Sequence, residues 1–115
     1  MPAQLNRVIV SVTDLEQALG FYRDVLGLAA VTSPGFATLP AGPGVELFLH
    51  ERQSAASDLA VAASFAIPDL DGTCAAWVSQ GGVVVDPPQR QPWGERMAVV
   101  RDFDGHLVCL VQANG

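Results

Sequence analysis

Lysine is absent from this 115-residue sequence, and charged and aromatic residues are few, at 16% and 7%. Without lysine the chain can form neither a Schiff base nor a Walker-type phosphate site. All six basic residues are therefore arginines, and twelve acidic residues leave a formal net charge of -6. Because nucleic-acid phosphates are bound by clustered basic residues, this balance argues against a nucleic-acid partner. It favours a neutral or cationic small molecule.

Long apolar runs and paired cysteines are also missing. The longest runs, such as residues 59–67, fall well short of the roughly 20 residues that span a bilayer. The N-terminal segment lacks the charged start, apolar centre and cleavage site of a secretory signal. Cys74 and Cys109 form neither a metal-spaced pair nor a disulfide framework. We therefore predict a cytoplasmic protein with reduced thiols and no membrane partner.

The sequence contains an internal repeat. The segment Val10–Leu15 (VSVTDL) is echoed by Phe65–Leu70 (FAIPDL) at an offset of 55 residues, and Gly27 falls on Gly82 at the same offset. Matching boundaries at one offset indicate two copies of one supersecondary unit. We expect a single domain over residues 1–115, with module 1 at about 1–53 and module 2 at about 58–115.

Each copy reads as a strand, a helix and three further strands. Apolar and polar residues alternate over Arg7–Val12, which is typical of a half-buried strand. Asp14 is placed to cap an amphipathic helix over residues 15–26, and Gly27 ends it. Strands are expected at 28–32, 35–39 and 45–50. In the second copy, strands are expected at 60–67, 83–85, 95–101 and 107–112, with a helix at 70–80.

The second copy carries a proline-rich insertion, Asp86–Gly94, which we expect to be a surface loop. Trp93 within it is hard to place in a core and is the best candidate for stacking on a planar or cationic ligand. Packing against a neighbouring subunit is the alternative. Trp77, at helical spacing from Leu70 and Cys74, is predicted to lie in the core.

These features resemble the vicinal oxygen chelate superfamily, which includes glyoxalase I, extradiol dioxygenases and bleomycin-resistance proteins. The resemblance covers essentially the whole chain. It rests on Phe21–Gly27 (FYRDVLG), Ile67–Leu70 (IPDL), and Pro92–Gly94 (PWG) leading to Arg101–Gly105 (RDFDG). It implies an α+β fold in which two βαβββ modules form a curved mixed sheet around a ligand cleft.

In enzymes of this superfamily, side chains from the first and last strands of the modules hold a divalent metal. The four matching positions here are Arg7, Glu46, Ala62 and Cys109. Glu46 alone is an ordinary hard-metal ligand, and Arg7 brings a permanent positive charge. His50 is about 13 Å along the strand from Glu46, and His106 points away from Cys109. We expect no metal, no other cofactor, and a pairing of Arg7 with Glu46.

The remaining candidates follow from strand alternation. Phe48 shares the face of Glu46, and Phe36 and Met97 are further candidates for the floor of a cleft. The sequence does not decide whether Met97 and its odd-numbered neighbours or Arg96 and its even-numbered neighbours face that cleft. Cys109 is a candidate contact as a small core residue or, less favoured, as a nucleophile. The predicted ligand contacts are Arg7, Glu46, Phe48, Trp93, Met97 and Cys109, and none is predicted to be catalytic.

The favoured function is metal-free binding that sequesters an aromatic or cationic antibiotic or metabolite, similar to the bleomycin-resistance proteins. The alternative is a divalent-metal-dependent enzyme of the glyoxalase or dioxygenase type that uses Glu46 together with unconventional ligands. A metabolite sensor without catalysis is a third possibility. Because one four-stranded sheet curves only partway round a ligand, two must face each other, and relatives of this length pair as homodimers. We expect a homodimer.

Overall fold

The chain folds into two four-stranded mixed sheets. The structure is a computed structural model that describes residues 2–113. The chain divides into two compact units, Met1–Ser54 and Ala55–Gly115. In each unit the first strand runs parallel to the last, and the remaining pairings are antiparallel. This is the α+β fold of two βαβββ modules that the repeat and the resemblance predict.

The first unit contains the sheet β1-β4-β3-β2 and one helical segment. Its elements are β1 (Arg7–Val12), α1 (Leu15–Leu19), a π-helical segment (Gly20–Val25), β2 (Val31–Ser33), β3 (Phe36–Pro40) and β4 (Glu46–Glu51). The uninterrupted α-helix expected over 15–26 is therefore wrong in its second half. The π-helical turn is wider, and both Phe21 and Tyr22 are buried there.

The strand expected from Leu28 begins instead at Val31. The backbone N–H of Leu28 donates to the carbonyl of Tyr22 at 3.1 Å, so this residue still belongs to the helix terminus. Gly27 adopts a φ of 78°, a left-handed conformation that glycine reaches without strain. The predicted helix stop at Gly27 is thus confirmed, and the chain needs a few more residues before it joins the sheet.

The second unit contains the sheet β5-β8-β7-β6. Its elements are β5 (Ala63–Ile67), α2 (Leu70–Ser79), β6 (Val83–Arg90), β7 (Arg96–Arg101) and β8 (Leu107–Gln112). The insertion 86–94 is not a free loop, since β6 continues through Asp86 to Arg90 and pairs with β7. Pro87 and Pro88 are tolerated because β6 is an edge strand and its register shifts at two points.

Both helices are capped in the same way. Asp14 accepts the backbone N–H of Gln17 at 3.2 Å, and Asp69 accepts that of Gly72 at 3.1 Å. The predicted Asp14 cap is confirmed. A second acceptor comes from the end of the last strand of the same unit: Glu51 Oε2 bonds Leu15 N, and Gln112 Oε1 bonds Leu70 N. Each cap thus joins a helix start to the far end of its own sheet.

Each hydrophobic core lies between a sheet and its helix. Trp77 is fully buried, and its indole N–H donates to the Arg101 carbonyl at 2.7 Å, which confirms its predicted core position. Tyr22 lies 55 residues earlier and is also buried. Within residues 2–113 no helix is long and apolar enough to cross a bilayer. The sheet face opposite each helix is less covered, and the candidate residues lie there.

Candidate functional site

The open face of the first sheet, the face turned away from α1, consists of three rows of side chains. Residues in register on neighbouring strands project to the same side, so the register defines the rows. The rows are Arg7, Glu46 and Pro40; then Ile9, Phe48, Thr38 and Val31; then Ser11, His50, Phe36 and Ser33. The predicted division of β1 into a face with Arg7 and Ile9 and a face with Val8 and Val10 follows from the same register.

Aromatic side chains fill the middle of this face. The rings of Phe36 and Phe48 are stacked, with centroids 5.4 Å apart and planes 18° apart. His50 meets Phe48 edge-on at 5.8 Å. Phe36 is 37% exposed, so this cluster is a partly open aromatic surface rather than a sealed core. One face of Phe36 meets Phe48, and the opposite face can stack against a flat ligand.

An ion pair lies at one end of the aromatic cluster. Arg7 Nε donates to Glu46 Oε1 at 2.8 Å, and a terminal nitrogen of Arg7 bonds the same oxygen. The guanidinium carbon is 4.7 Å from the centroid of the Phe48 ring, within cation-π range. The predicted pairing of Arg7 with Glu46 is confirmed. Three of the six predicted contacts, Arg7, Glu46 and Phe48, therefore touch one another.

Arg52, which the sequence did not single out, lies at the other end of this face. Its Nε donates to Ser11 Oγ at 2.7 Å, and Ser11 is in register with His50. Arg52 follows the last strand, and its partner precedes it by 41 residues. The parallel pairing of β1 with β4 brings them together. Only knowledge of that register would have revealed this contact from the sequence.

The open face of the second sheet has a different composition. Arg96 forms an ion pair with Asp71 of α2, and Ala98 and Val100 are fully buried, so the even-numbered residues of β7 face the helix. Met97 and the other odd-numbered residues face the open side, which resolves the choice left open by the sequence. Val99 is in register with Cys109, and Cys109 with Ser64. Apolar side chains predominate on this face, and Asp86 lies at its edge in register with Val99.

Neither thiol of the second unit is activated. Burial raises the pKa of both Cys74 and Cys109 above the usual thiol range. The thiolate is the nucleophilic form, so a raised pKa lowers its population at neutral pH. Cys109 lies mid-strand among apolar neighbours, in the environment expected for a small hydrophobic residue.

Trp93 lies at the tip of the β6–β7 hairpin, beyond the last paired residues. The turn is closed by a bond from Gln91 N to the Glu95 carbonyl at 2.7 Å. The Trp93 indole N–H donates to Glu95 Oε1 at 2.8 Å, and the side chain is 66% exposed. The indole is therefore held at one edge while its faces are accessible, as stacking requires.

The residues at the metal positions of the superfamily do not fit a metal. Within residues 2–113, no group of three or more His, Cys, Asp and Glu side chains is placed to hold an ion. Glu46 Oε1 accepts two bonds from Arg7, whose charge cannot be removed near neutral pH. Ala62 offers no donor atom, and the Cys109 thiol has a raised pKa. A thiol must lose its proton to bind a metal, so this donor set disfavours one.

Two successive βαβββ units are typical of one class of protein. The chain is a member of the Glyoxalase/Bleomycin resistance protein/Dioxygenase superfamily, whose profile matches residues 4–110. This confirms the resemblance seen in the sequence. No functionally curated protein matches the chain significantly.

Solved structures of the superfamily are similar along their whole length. One from Sphaerobacter thermophilus DSM 20745, described as a superfamily member, has a TM-score of 0.73 and 26% identity, covering 97% of this chain and 98% of that one. TnmS3 from Streptomyces sp. CB03234, described as an antibiotic binding protein, has a TM-score of 0.71 and 26% identity, covering 98% of both. A glyoxalase-related enzyme from Fulvimarina pelagi has a TM-score of 0.82 but 20% identity, covering 96% and 88%, and supports the fold alone.

Proposed function

We propose that this chain is a metal-free binding protein that sequesters an aromatic antibiotic or metabolite without altering it. The observation that carries the proposal is the Arg7–Glu46 ion pair beside the ring of Phe48. At the position where an enzyme of the superfamily needs a carboxylate for its metal, this carboxylate is engaged by an arginine. The similarity to TnmS3, described as an antibiotic binding protein, also supports binding.

The chemistry of the open face supports an aromatic ligand. Stacked and edge-to-face aromatic contacts contribute about 0.5–1.5 kcal/mol each beyond the area they bury. The exposed face of Phe36 offers such a contact, and Phe48, which lies between Phe36 and the Arg7 guanidinium, supports the Phe36 ring from behind. A planar ring system laid on this face would gain stacking at its centre and hydrogen bonds at its edge.

The second unit offers three further proposed contacts of other kinds. Met97 and Cys109 lie on the open face of the second sheet, where most side chains are apolar. Met97 provides a flexible and polarisable surface there. Trp93 provides an exposed indole. We include all three in the proposed ligand-binding set, with no catalytic role for any of them.

Ligand screening tests this proposal directly. Purified protein is screened by thermal shift against planar aromatic natural products, and bound compounds are recovered and weighed by mass spectrometry. We expect recovery of unmodified ligand and a Phe36→Ala variant that binds about three- to tenfold more weakly. Phe103→Ala is the matched control, because Phe103 is exposed in the turn before β8 of the other unit. Recovery of a chemically modified product would contradict sequestration.

Metal content tests the alternative function. Elemental analysis of protein purified without a metal-affinity tag, after dialysis against Mn, Fe, Ni and Zn, is expected to give near-zero metal per chain. We expect this because Arg7 engages the Glu46 carboxylate and burial raises the pKa of the Cys109 thiol, so neither side chain is a good metal ligand. Stoichiometric retention, with turnover abolished by Glu46→Gln, would instead establish the glyoxalase- or dioxygenase-type enzyme.

We also propose a homodimer. One four-stranded sheet contacts a flat ligand from a single side, so enclosure requires a second sheet from the same chain or from another copy. Light scattering at micromolar concentration is expected to give twice the 12.1 kDa of one chain. A mass of one chain would contradict the dimer without affecting the ligand proposal.

A further inference from the structure

The charge on the open face of the first sheet is opposite in sign to that of the whole chain. The sequence carries a formal net charge of -6. The charged side chains at this face are Arg7 and Glu46 within the rows and Arg52 bound to Ser11. Two arginines against one glutamate give a local charge of +1. Glu51 does not reduce it, because its carboxylate caps α1 on the other side of the sheet.

Arg52 differs from the other arginines in its partners. Among residues 2–113, Arg7, Arg23 and Arg96 pair with carboxylates, and Arg90 and Arg101 donate to backbone carbonyls. Arg52 uses its Nε to bond a neutral hydroxyl and is exposed. Its two terminal nitrogens keep donors in the fork geometry that matches a carboxylate.

The register places this arginine beside the aromatic surface. Ser11, which holds Arg52, is in register with His50, and His50 is in register with Phe36. The three residues form one row across the sheet. A ring stacked on Phe36 thus has the Arg52 guanidinium at the other end of the same row, and the compensated Arg7–Glu46 pair lies two rows away.

We propose that this face selects a planar aromatic ligand carrying an anionic group, such as an aryl carboxylate, with the ring on the exposed face of Phe36 and the anion on Arg52. This inference rests on the proposed function for the binding of an aromatic molecule at this face. A cationic ligand gains little here, because Glu46 is already paired with Arg7 and Arg52 repels it. The net charge of the chain favours cations, and the local arrangement reverses that preference.

Three matched naphthalene probes test the charge preference. 2-Naphthoate is anionic, 2-naphthamide is neutral and 2-naphthylmethylammonium is cationic, while the ring is the same. Binding is measured by calorimetry at about pH 8, where histidine side chains are ordinarily uncharged. We expect naphthoate to bind about three- to tenfold more tightly than naphthamide, and the ammonium most weakly, as for a partly exposed charge pair.

The variant Arg52→Gln separates charge recognition from stacking. It should remove the advantage of naphthoate and change naphthamide binding by less than about twofold, because naphthamide carries no charge. Arg23→Gln is the matched control, since Arg23 pairs with its neighbour Asp24 on the helix and should leave all three affinities unchanged. Raising the salt concentration should weaken naphthoate binding alone.

Several results would overturn the inference. They are ammonium binding as tight as naphthoate, a naphthoate advantage that survives Arg52→Gln, and no binding of any probe at millimolar concentration. Failure of the proposed function gives a different result. In that case no probe would bind and the wider ligand screen would yield no compound either. A screen that yields a compound while no probe binds contradicts the inference alone.

Discussion

The two units of this chain share a strand order but differ in the face that each sheet turns away from its helix. The first presents an ion pair and stacked aromatic rings around Phe48, while the second presents small apolar residues around Cys109. Nothing in the topology requires this difference. The repeated architecture thus fixes where side chains project and leaves the chemistry of the open face free to diverge.

The helix side of each sheet shows the opposite behaviour. Asp14 and Asp69 cap the two helices through the same kind of bond, and Glu51 and Gln112 bring a second acceptor from the last strand. The buried aromatic residue of each helix also recurs at the same place. The side that stabilises the fold is thus retained in both copies, and the side proposed to contact a ligand is not.

The largest expected loss of stability comes from substituting a buried aromatic residue on the helix side of a sheet. Trp77→Ala should lower the free energy of unfolding by about 3–5 kcal/mol, because it removes a fully buried ring and leaves the Arg101 carbonyl without its donor. Tyr22→Ala in the first unit should cost a similar amount. Urea unfolding followed by far-ultraviolet circular dichroism measures both without relying on tryptophan fluorescence.

Trp93→Ala is the matched control for this prediction. The substitution is chemically identical, but the side chain is 66% exposed, and we expect a loss below about 1 kcal/mol. Equal losses for Trp77 and Trp93 would show that the hairpin tip contributes to the core and would contradict the assignment of Trp93 to a surface.

The next largest loss of stability is expected from substitutions that remove a helix cap. Glu51→Ala and Gln112→Ala should each lower stability by about 1–2 kcal/mol, because each leaves a helix N–H without its acceptor. Similar losses in the two units would confirm that the device is equivalent. Glu51→Gln keeps an acceptor oxygen and serves as the control. A loss for Glu51→Gln as large as that for Glu51→Ala would attribute the effect to charge rather than to the cap.

The retained side is also the part that the sequence predicted well. The Asp14 cap, the stop at Gly27 and the buried Trp77 all follow from short-range patterns. These features depend on residues within about one helix of each other, so local periodicity is sufficient. The pairing of Arg7 with Glu46 was predicted as well, because the resemblance to the superfamily implies that these two positions face the same cleft.

The features that the sequence did not predict depend on long-range register. Arg52 meets Ser11 only because β1 and β4 are parallel, and the face of Met97 depends on how β7 pairs with β8. The extension of β6 through Pro87 was missed because prolines normally end strands, and only an edge position permits them. The π-helical turn was missed because its residues also suit an α-helix.

The ion pair of the open face should contribute little to stability. Glu46→Gln is expected to lower the free energy of unfolding by less than about 1 kcal/mol, because both side chains are partly exposed to solvent. Its effect should appear in ligand binding instead. Thermal unfolding of the ligand-free protein measures the first quantity. A loss of stability as large as that from removing a helix cap would show that this ion pair stabilises the fold, as the helix side of the sheet does.

The smallest effect concerns an ion pair of the second unit. The hydrogen bond from Arg96 holds the pKa of Asp71 below its ordinary value, and the charge of Arg96 adds to this against the opposing effect of desolvation. The folded pKa is lower than the unfolded one, so the contribution to stability is present above the unfolded pKa, near 3.9. It is lost as the pH falls through the folded value.

Among the described residues, this is the ion pair that joins a helix to a strand, and it has no equivalent in the first unit. A carboxyl titration of Asp71 by nuclear magnetic resonance should therefore show a pKa that rises toward the ordinary range in Arg96→Gln. Arg90→Gln is the control, since Arg90 bonds the Gly94 carbonyl instead. An unchanged titration in Arg96→Gln would mean that the helix terminus rather than the arginine lowers the pKa. Both helices would then share that influence, and the difference between the units would be confined to their open faces.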